Sequence, residues 1–435
     1  MSDNISTLRI NYKKNKGLEL QTICLWACYV CCALSGIVPQ MMLSLIIVAC
    51  VIVICCRGDS ISVWPIMIFY YSIFGTIFGI SVYRIFTILF LVVHCYKTQR
   101  PTISFRVLPP LLVYIYYLIV VVFSHSIKTM FFSFVDIICA IFLVYDYLNS
   151  RDEMKRFFKS YVVVCFLAFL TGMISRNEMS VMENYGGKLL TISRFTATFE
   201  DPNYMGFFYT VAVFSIVALK MYRPITRVVI VVALYGMILT SMSMTAIIGN
   251  ILLWTLFLLI RGNIRPRTVL IVILSLLAAM SLYNYGLEHP NVKLIGDMSL
   301  RIQDKMNSLF LKDFDSFSTG RTSLSEVHLN IFNNSNIVSQ LFGGRAVNSY
   351  FIDVGQGADF SAHSEYIDML LNVGIIGWVI MYGSVIISAI RKVITFRKQN
   401  DCAVLCGTMM NLAWLYYVAT LTVFLDFRYM FAYFI

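Results

Sequence analysis

The sequence predicts an all-α, polytopic membrane protein with about 11–14 transmembrane helices and a larger polar loop ahead of a late helix. Three observations carry that expectation. The 435-residue chain is 59% hydrophobic and 13% charged, against about 45–50% and about 25% in a soluble globular chain, and its mean hydropathy is +0.77. Apolar runs long enough for membrane helices recur along it. The basic residues concentrate in alternate connectors between those runs. A soluble fold could not hide so much apolar surface.

The first 19 residues are polar and basic (Arg9, Lys13, Lys14, Lys16). The apolar run behind them has no small-residue cleavage site, so it reads as a first membrane helix that serves as its own insertion signal. A spanning helix needs about 20 mainly apolar residues. Candidates lie near 20–37, 41–56, 61–78, 79–96, 107–125, 129–148, 160–175, 204–219, 228–241, 243–260, 268–285, 364–390 and 402–424. The stretch 61–96 also reads as one long span plus a re-entrant piece. Because lipid leaves backbone groups unsatisfied, these segments must be helices or be shielded by helices.

Of the 34 Lys and Arg residues, 22 fall at the N-terminus or in the connectors around Arg57, 97–106, 151–159, 220–227, 261–267 and 391–398. These connectors should face the cytoplasm, which accounts for the net charge of +11 without a nucleic-acid partner. The whole chain, 1–435, then forms a single integral membrane domain. Two loops are left for the other side, 176–203 and the larger 286–363. The second carries eight acids and six bases, a soluble-like composition that suggests a small folded cap. Most of the twelve cysteines lie in apolar runs, where a free Cys behaves as a small hydrophobe, and no metal-ligand spacing occurs. There is no phosphate-binding loop, dinucleotide fingerprint, zinc motif or nucleophile elbow, and no cofactor or metal is expected.

Candidate chemistry lies in the two loops. Asp201-Pro202-Asn203 is a turn and helix-start signal, so Arg194 should sit beside a helix N-terminus. Together they make an anion site, although Arg194 could instead pair with Glu200. In the second loop Arg321 follows Thr319-Gly320, and Arg345 follows Gly343-Gly344. His363 and Glu365 open the long apolar run 367–390, at the outer membrane boundary. Ionisable groups at that depth point to function. Several Arg with an imidazole and a carboxylate suit an anionic substrate and proton transfer; the blander alternative is that these Arg pair with the loop's own acids. Arg84 and Asp136 lie in apolar runs and could pair across helices. His94 and His125 fit span ends.

The ordered motifs resemble those of the O-antigen polymerase and ligase superfamily of bacterial polysaccharide assembly. They are Arg194 to Asn203-Tyr204, then Thr319-Gly320-Arg321, then Leu341 to Arg345, then His363 through Gly374 and Gly377. The resemblance covers about residues 190–390. The chain departs from the pattern at Ala197, where the family has Gly, at Ser364-Glu365, where it has Asn after the His, and in the turn 239–244, which lacks an Arg. The resemblance implies a GT-C-like, metal-independent glycosyltransferase of the bacterial cytoplasmic membrane, with its N-terminus in the cytoplasm and its site on the extracytoplasmic face. The donor would be a glycan on undecaprenyl diphosphate. The acceptor would be a lipid-linked repeat unit in a polymerase or lipid A-core in a ligase. His363, with Glu365, would deprotonate or orient the acceptor. Arg194 and Arg345 would act on the diphosphate, with Arg321, Asp201, Asn203 and Tyr204 binding substrate. A chain-length regulator and a flippase are the implied partners. A lipid-linked oligosaccharide flippase is the rival activity, but it would call for repeated halves and charges deep within helices.

Overall fold

A computed structural model describes residues 20–57, 60–77, 80–97, 108–119, 127–148, 150–185, 188–262, 280–313, 321–343, 352–353, 359–360, 364–421 and 426–435. Within them the chain is dominated by helices. These are α1 (Leu20–Leu34), α2 (Gln40–Arg57), α3 (Trp64–Phe69), α4 (Val82–Lys97), α5 (Leu108–Tyr117), α6 (Ile127–Phe142), α7 (Arg151–Ser175), α8 (Pro202–Ala218), α9 (Pro224–Thr240) and α10 (Met244–Arg261). After a helix over 280–288 follow α11 (Lys293–Phe310), α12 (Arg321–Asn333), α13 (Ile337–Phe342), α14 (Glu365–Gln399), α15 (Cys402–Tyr417) and α16 (Phe427–Phe434). Four of them, α2, α7, α10 and α14, are long and apolar enough to cross a membrane. Large apolar side chains point outward in number. Ile225 is 81% exposed, and Val228, Val229 and Val232 follow it on α9. A face of that kind needs an apolar surrounding.

Helix ends follow local sequence. Ser150 accepts from the Glu153 N–H to start α7, and Asp201 and Ser243 cap α8 and α10 in the same way. Pro202 and Pro224 occupy first-turn positions, where their missing N–H costs nothing. The segment expected to be partly re-entrant runs as the short α3 and a two-residue hairpin (β1 Thr76–Ile77, β2 Ile80–Ser81) before α4. Arg84 and Asp136 do pair, with the Tyr83 hydroxyl also donating to Asp136. His94, near the end of α4, is buried 3.0 Å from Asp146. His125 lies outside the described residues.

Three features depart from the sequence-based expectation. The first polar loop is a β-hairpin, β3 (Glu178–Tyr185) paired with β4 (Lys188–Phe195) in register from Glu178↔Phe195 to Tyr185↔Lys188. The expected single span at 364–390 reverses at Gly374, whose φ of 67° and ψ of −176° are non-helical. Trp378 Nε1 donates to the Tyr366 carbonyl at 3.0 Å and the Tyr382 hydroxyl to Glu365 Oε1 at 3.3 Å. Along one straight helix those pairs would be about 18 and 25 Å apart. Residues 365–373 are therefore a short helix folded back on 375–399. Finally, the apolar segment expected at 402–424 ends as a helix at Tyr417, and α16 follows it. Within the larger loop lie α11, α12 and α13, with a further strand pair (β5 Ile352–Asp353, β6 Asp359–Phe360).

Candidate functional site

The site grows from the end of β4. Arg194, opposite Met179 in the ladder, is buried, and its Nε donates to the Ser241 carbonyl at 3.3 Å. The chain then turns through Ala197, which is left-handed at φ 54°. The turn is held by Asn177 Nδ2, which donates to the Ala197 carbonyl at 2.8 Å. Phe199 stacks on Phe208, ring centroids 4.7 Å apart. This brings Asp201 to the start of α8, where Oδ1 accepts the Asn203 N–H at 2.6 Å. Asn203 Oδ1 in turn accepts from Ser243 Oγ at 2.5 Å, and that oxygen also caps α10. The N-terminus of α8 and the α9–α10 turn are thus tied together.

Cations from three other elements converge on the same place. From α11, Arg301 Nη1 donates to the Met242 carbonyl at 2.7 Å, one residue from the carbonyl that Arg194 contacts. Arg321, at the start of α12, donates through Nη1 to the Thr420 carbonyl at 3.4 Å. Burial lowers its affinity for the proton, Arg301 adds to that, and nearby Asp201 opposes it. Arg428 on α16 is bound through Nε and Nη2 to both oxygens of Asp426, at 2.6–2.9 Å. Its guanidinium also lies 5.6 Å from the ring centres of Tyr71 and Tyr204. Tyr204 and Tyr429 meet at 5.6 Å and complete an aromatic wall.

Of the residues the sequence singled out, Arg194, Asp201, Asn203, Tyr204 and Arg321 therefore share one locus. Glu365 is next to it. Its N–H donates to the Val418 carbonyl, two residues before Thr420, but its carboxylate is fully buried and turned toward Tyr382. Arg345 and His363 lie outside the described residues. Gly343, two residues before Arg345, is held against the reversal at Gly374. A Cβ on Gly343 would stand 2.2 Å from the Asn372 carbonyl oxygen, and one on Gly374 would stand 2.4 Å from the Leu341 carbonyl. The two glycine-bearing motifs thus pack backbone to backbone.

Sequence reasoning missed Arg301, Arg428 and the serines of the α9–α10 turn. Arg428 had a usable signal, since Asp426 and Arg428 are ionisable groups within an apolar C-terminal stretch. Arg301 had none beyond its membership in an amphipathic helix. Arg194, Arg301 and Arg321 beside a capped helix start suit a multiply charged oxyanion, and Arg428, whose fork Asp426 occupies, borders them. Among the described residues no cluster of His, Cys, Asp and Glu suits a metal. No family model matches the chain, and no match was found among curated proteins or solved structures.

Proposed function

We propose that this protein is a polyprenyl-diphosphate-dependent glycosyltransferase, which polymerises lipid-linked oligosaccharide repeat units at the outer face of the bacterial cytoplasmic membrane. The observation that carries the reading is the meeting of Arg194, Arg301, Arg321 and Arg428 at the N-terminus of α8. In support, Lys220, Arg223, Arg227, Arg261 and Arg397 lie at the far end of the same helices, the distribution expected of a cytoplasmic face opposite the cluster.

The chemistry asked of such a site is modest. A hydroxyl of the acceptor sugar attacks the anomeric carbon of the donor and a new C–O bond forms. The C–O bond to the diphosphate breaks, and its electron pair leaves on a phosphate oxygen. The hydroxyl proton goes to a base, and His363 is the residue proposed for it. Negative charge grows on the departing diphosphate, so fixed guanidinium donors lower the barrier most where they contact that oxygen. Tyr204 and Tyr71, both partly exposed, offer ring surface against which a sugar can pack. Glu365, buried against Tyr382, suits a positioning part in this scheme.

The test is genetic and chemical together. Arg194→Ala, Arg321→Ala and His363→Ala should leave protein level unchanged while long glycan disappears and single-repeat material accumulates. Full-length polymer in all three would end the reading. Lipid-linked polymer that persists without transfer to lipid A-core would mark a ligase instead. Loss of outward-facing lipid-linked repeat would mark a flippase.

A further inference from the structure

A second basic site lies at the opposite end of the helices that build the first. Helix α8 is 17 residues long, so its two ends are about 25 Å apart. Where α8, α10, α14 and α15 finish or begin at that far end, they enclose a cavity of about 1050 Å³. Lys220, Arg227, Arg261 and Arg397 line it, and no acid does. Among the described residues none of the four is ion-paired. Arg227 uses Nε and Nη2 to hold the Met221 and Tyr222 carbonyls at 2.9 and 3.0 Å. Arg397 reaches the Leu259 carbonyl at 3.5 Å. Nearby Asp401 is occupied as the cap of α15, accepting the Ala403 N–H at 2.9 Å.

Apart from Asn400 the rest of the wall is apolar, built from Phe257, Phe396 and Leu405 with their neighbours. Inorganic phosphate needs neither that volume nor that wall. An amphiphile with a phosphate head needs both. We infer that this cavity binds the head group of an anionic phospholipid, with the four cations around the phosphate and the apolar wall against the first methylenes of the acyl chains. Basic pockets between membrane helices suit such head groups. Left-handed residues terminate the helices around it, with Lys220 at φ 52°, Tyr222 at 62°, Gly262 at 68° and Asn400 at 52°. Arg227, Arg261 and Arg397 are thus presented from the ends of helices and Lys220 from a left-handed turn position. The inference rests on the membrane reading and is independent of glycosyl transfer.

The test uses the purified full chain in neutral detergent, titrated with phosphatidylglycerol, phosphatidylcholine or inorganic phosphate, with bound lipid read by native mass spectrometry. Phosphatidylglycerol should bind and phosphatidylcholine should not. Each cation removed should weaken binding about fivefold, so Arg261→Gln with Arg397→Gln should cost about 25-fold. Arg261→Lys with Arg397→Lys should stay within about threefold of the parent, because charge is kept. Lys398→Gln, on the same helix end outside the cavity, should change nothing. The proposal fails if the Gln pair binds like the parent. It fails if the Gln and Lys pairs lose binding equally, since charge would then not be the cause. It also fails if phosphatidylcholine binds as well, or if equimolar inorganic phosphate displaces the lipid.

Discussion

Ala197 occupies a left-handed backbone, with φ 54° and no exposure. That conformation costs an L-residue about 1–2 kcal/mol. Glycine would remove the cost, giving up about 0.8 kcal/mol of buried methyl and about 0.4–1 kcal/mol through the freer unfolded chain. Ala197→Gly should therefore leave thermal stability in detergent within about 1 kcal/mol of the parent. The reverse change next door should not be tolerated. A Cβ on Gly172 would fall 2.6 Å from the Ala197 Cα, so Gly172→Ala must push the turn that carries Arg194 toward Asp201. A variant that melts like the parent and keeps full activity would show that this turn does not set the site. At Arg301 the expected signature is different. Arg301→Ala should lower polymer formation about a hundredfold or more, as removal of a charge-stabilising donor does, and Arg301→Lys should restore part of it. Undiminished polymer in Arg301→Ala would take that residue out of the site.

The elements that position the site were legible to unequal degrees. Most candidate apolar spans fall on helices, because a long apolar run with polar ends has one solution in lipid. The α8 start was readable from Asp201-Pro202-Asn203, where the cap and the first-turn proline both lie in the sequence. The β3–β4 hairpin carried a signal that went unused, two eight-residue strands around Gly186-Gly187, which is turn chemistry of a hairpin. The reversal at Gly374 could not be read from hydropathy, since apolar residues continue on both sides of it. Nor could Arg301, whose partner is a carbonyl 59 positions earlier. Gly374 supplies the matching prediction. Its backbone lies in a region that only glycine enters readily, at a cost of about 1–3 kcal/mol for other residues, and its added methyl would strike Leu341. Gly374→Ala should lower stability by at least about 2 kcal/mol and reduce activity. Gly383, further along the same element with open space around it, should gain up to about 1 kcal/mol as Ala. If the two substitutions behave alike, the reversal is not what holds α13 against α14.

At the scale of the whole molecule, α8, α9, α10 and α15 each have one end at the four-arginine cluster and the other at the basic cavity or its connectors. The two sites thus lie at opposite ends of the same four helices. The cavity end also carries Arg223, Arg261, Arg397 and Lys398 close to helix termini, where positive charge resists translocation. The orientation that follows can be read with an exported phosphatase that is active only outside the cytoplasm. Fusions after Asn291 and Ser335 should be active, and fusions after Arg223 and Asn400 inactive. A reversed pattern would put the guanidinium cluster in the cytoplasm, away from any lipid-linked glycan that has already been translocated. The same pattern would put the basic cavity against the outer leaflet. A single set of fusions therefore bears on both sites, because the helices that separate them are the same helices.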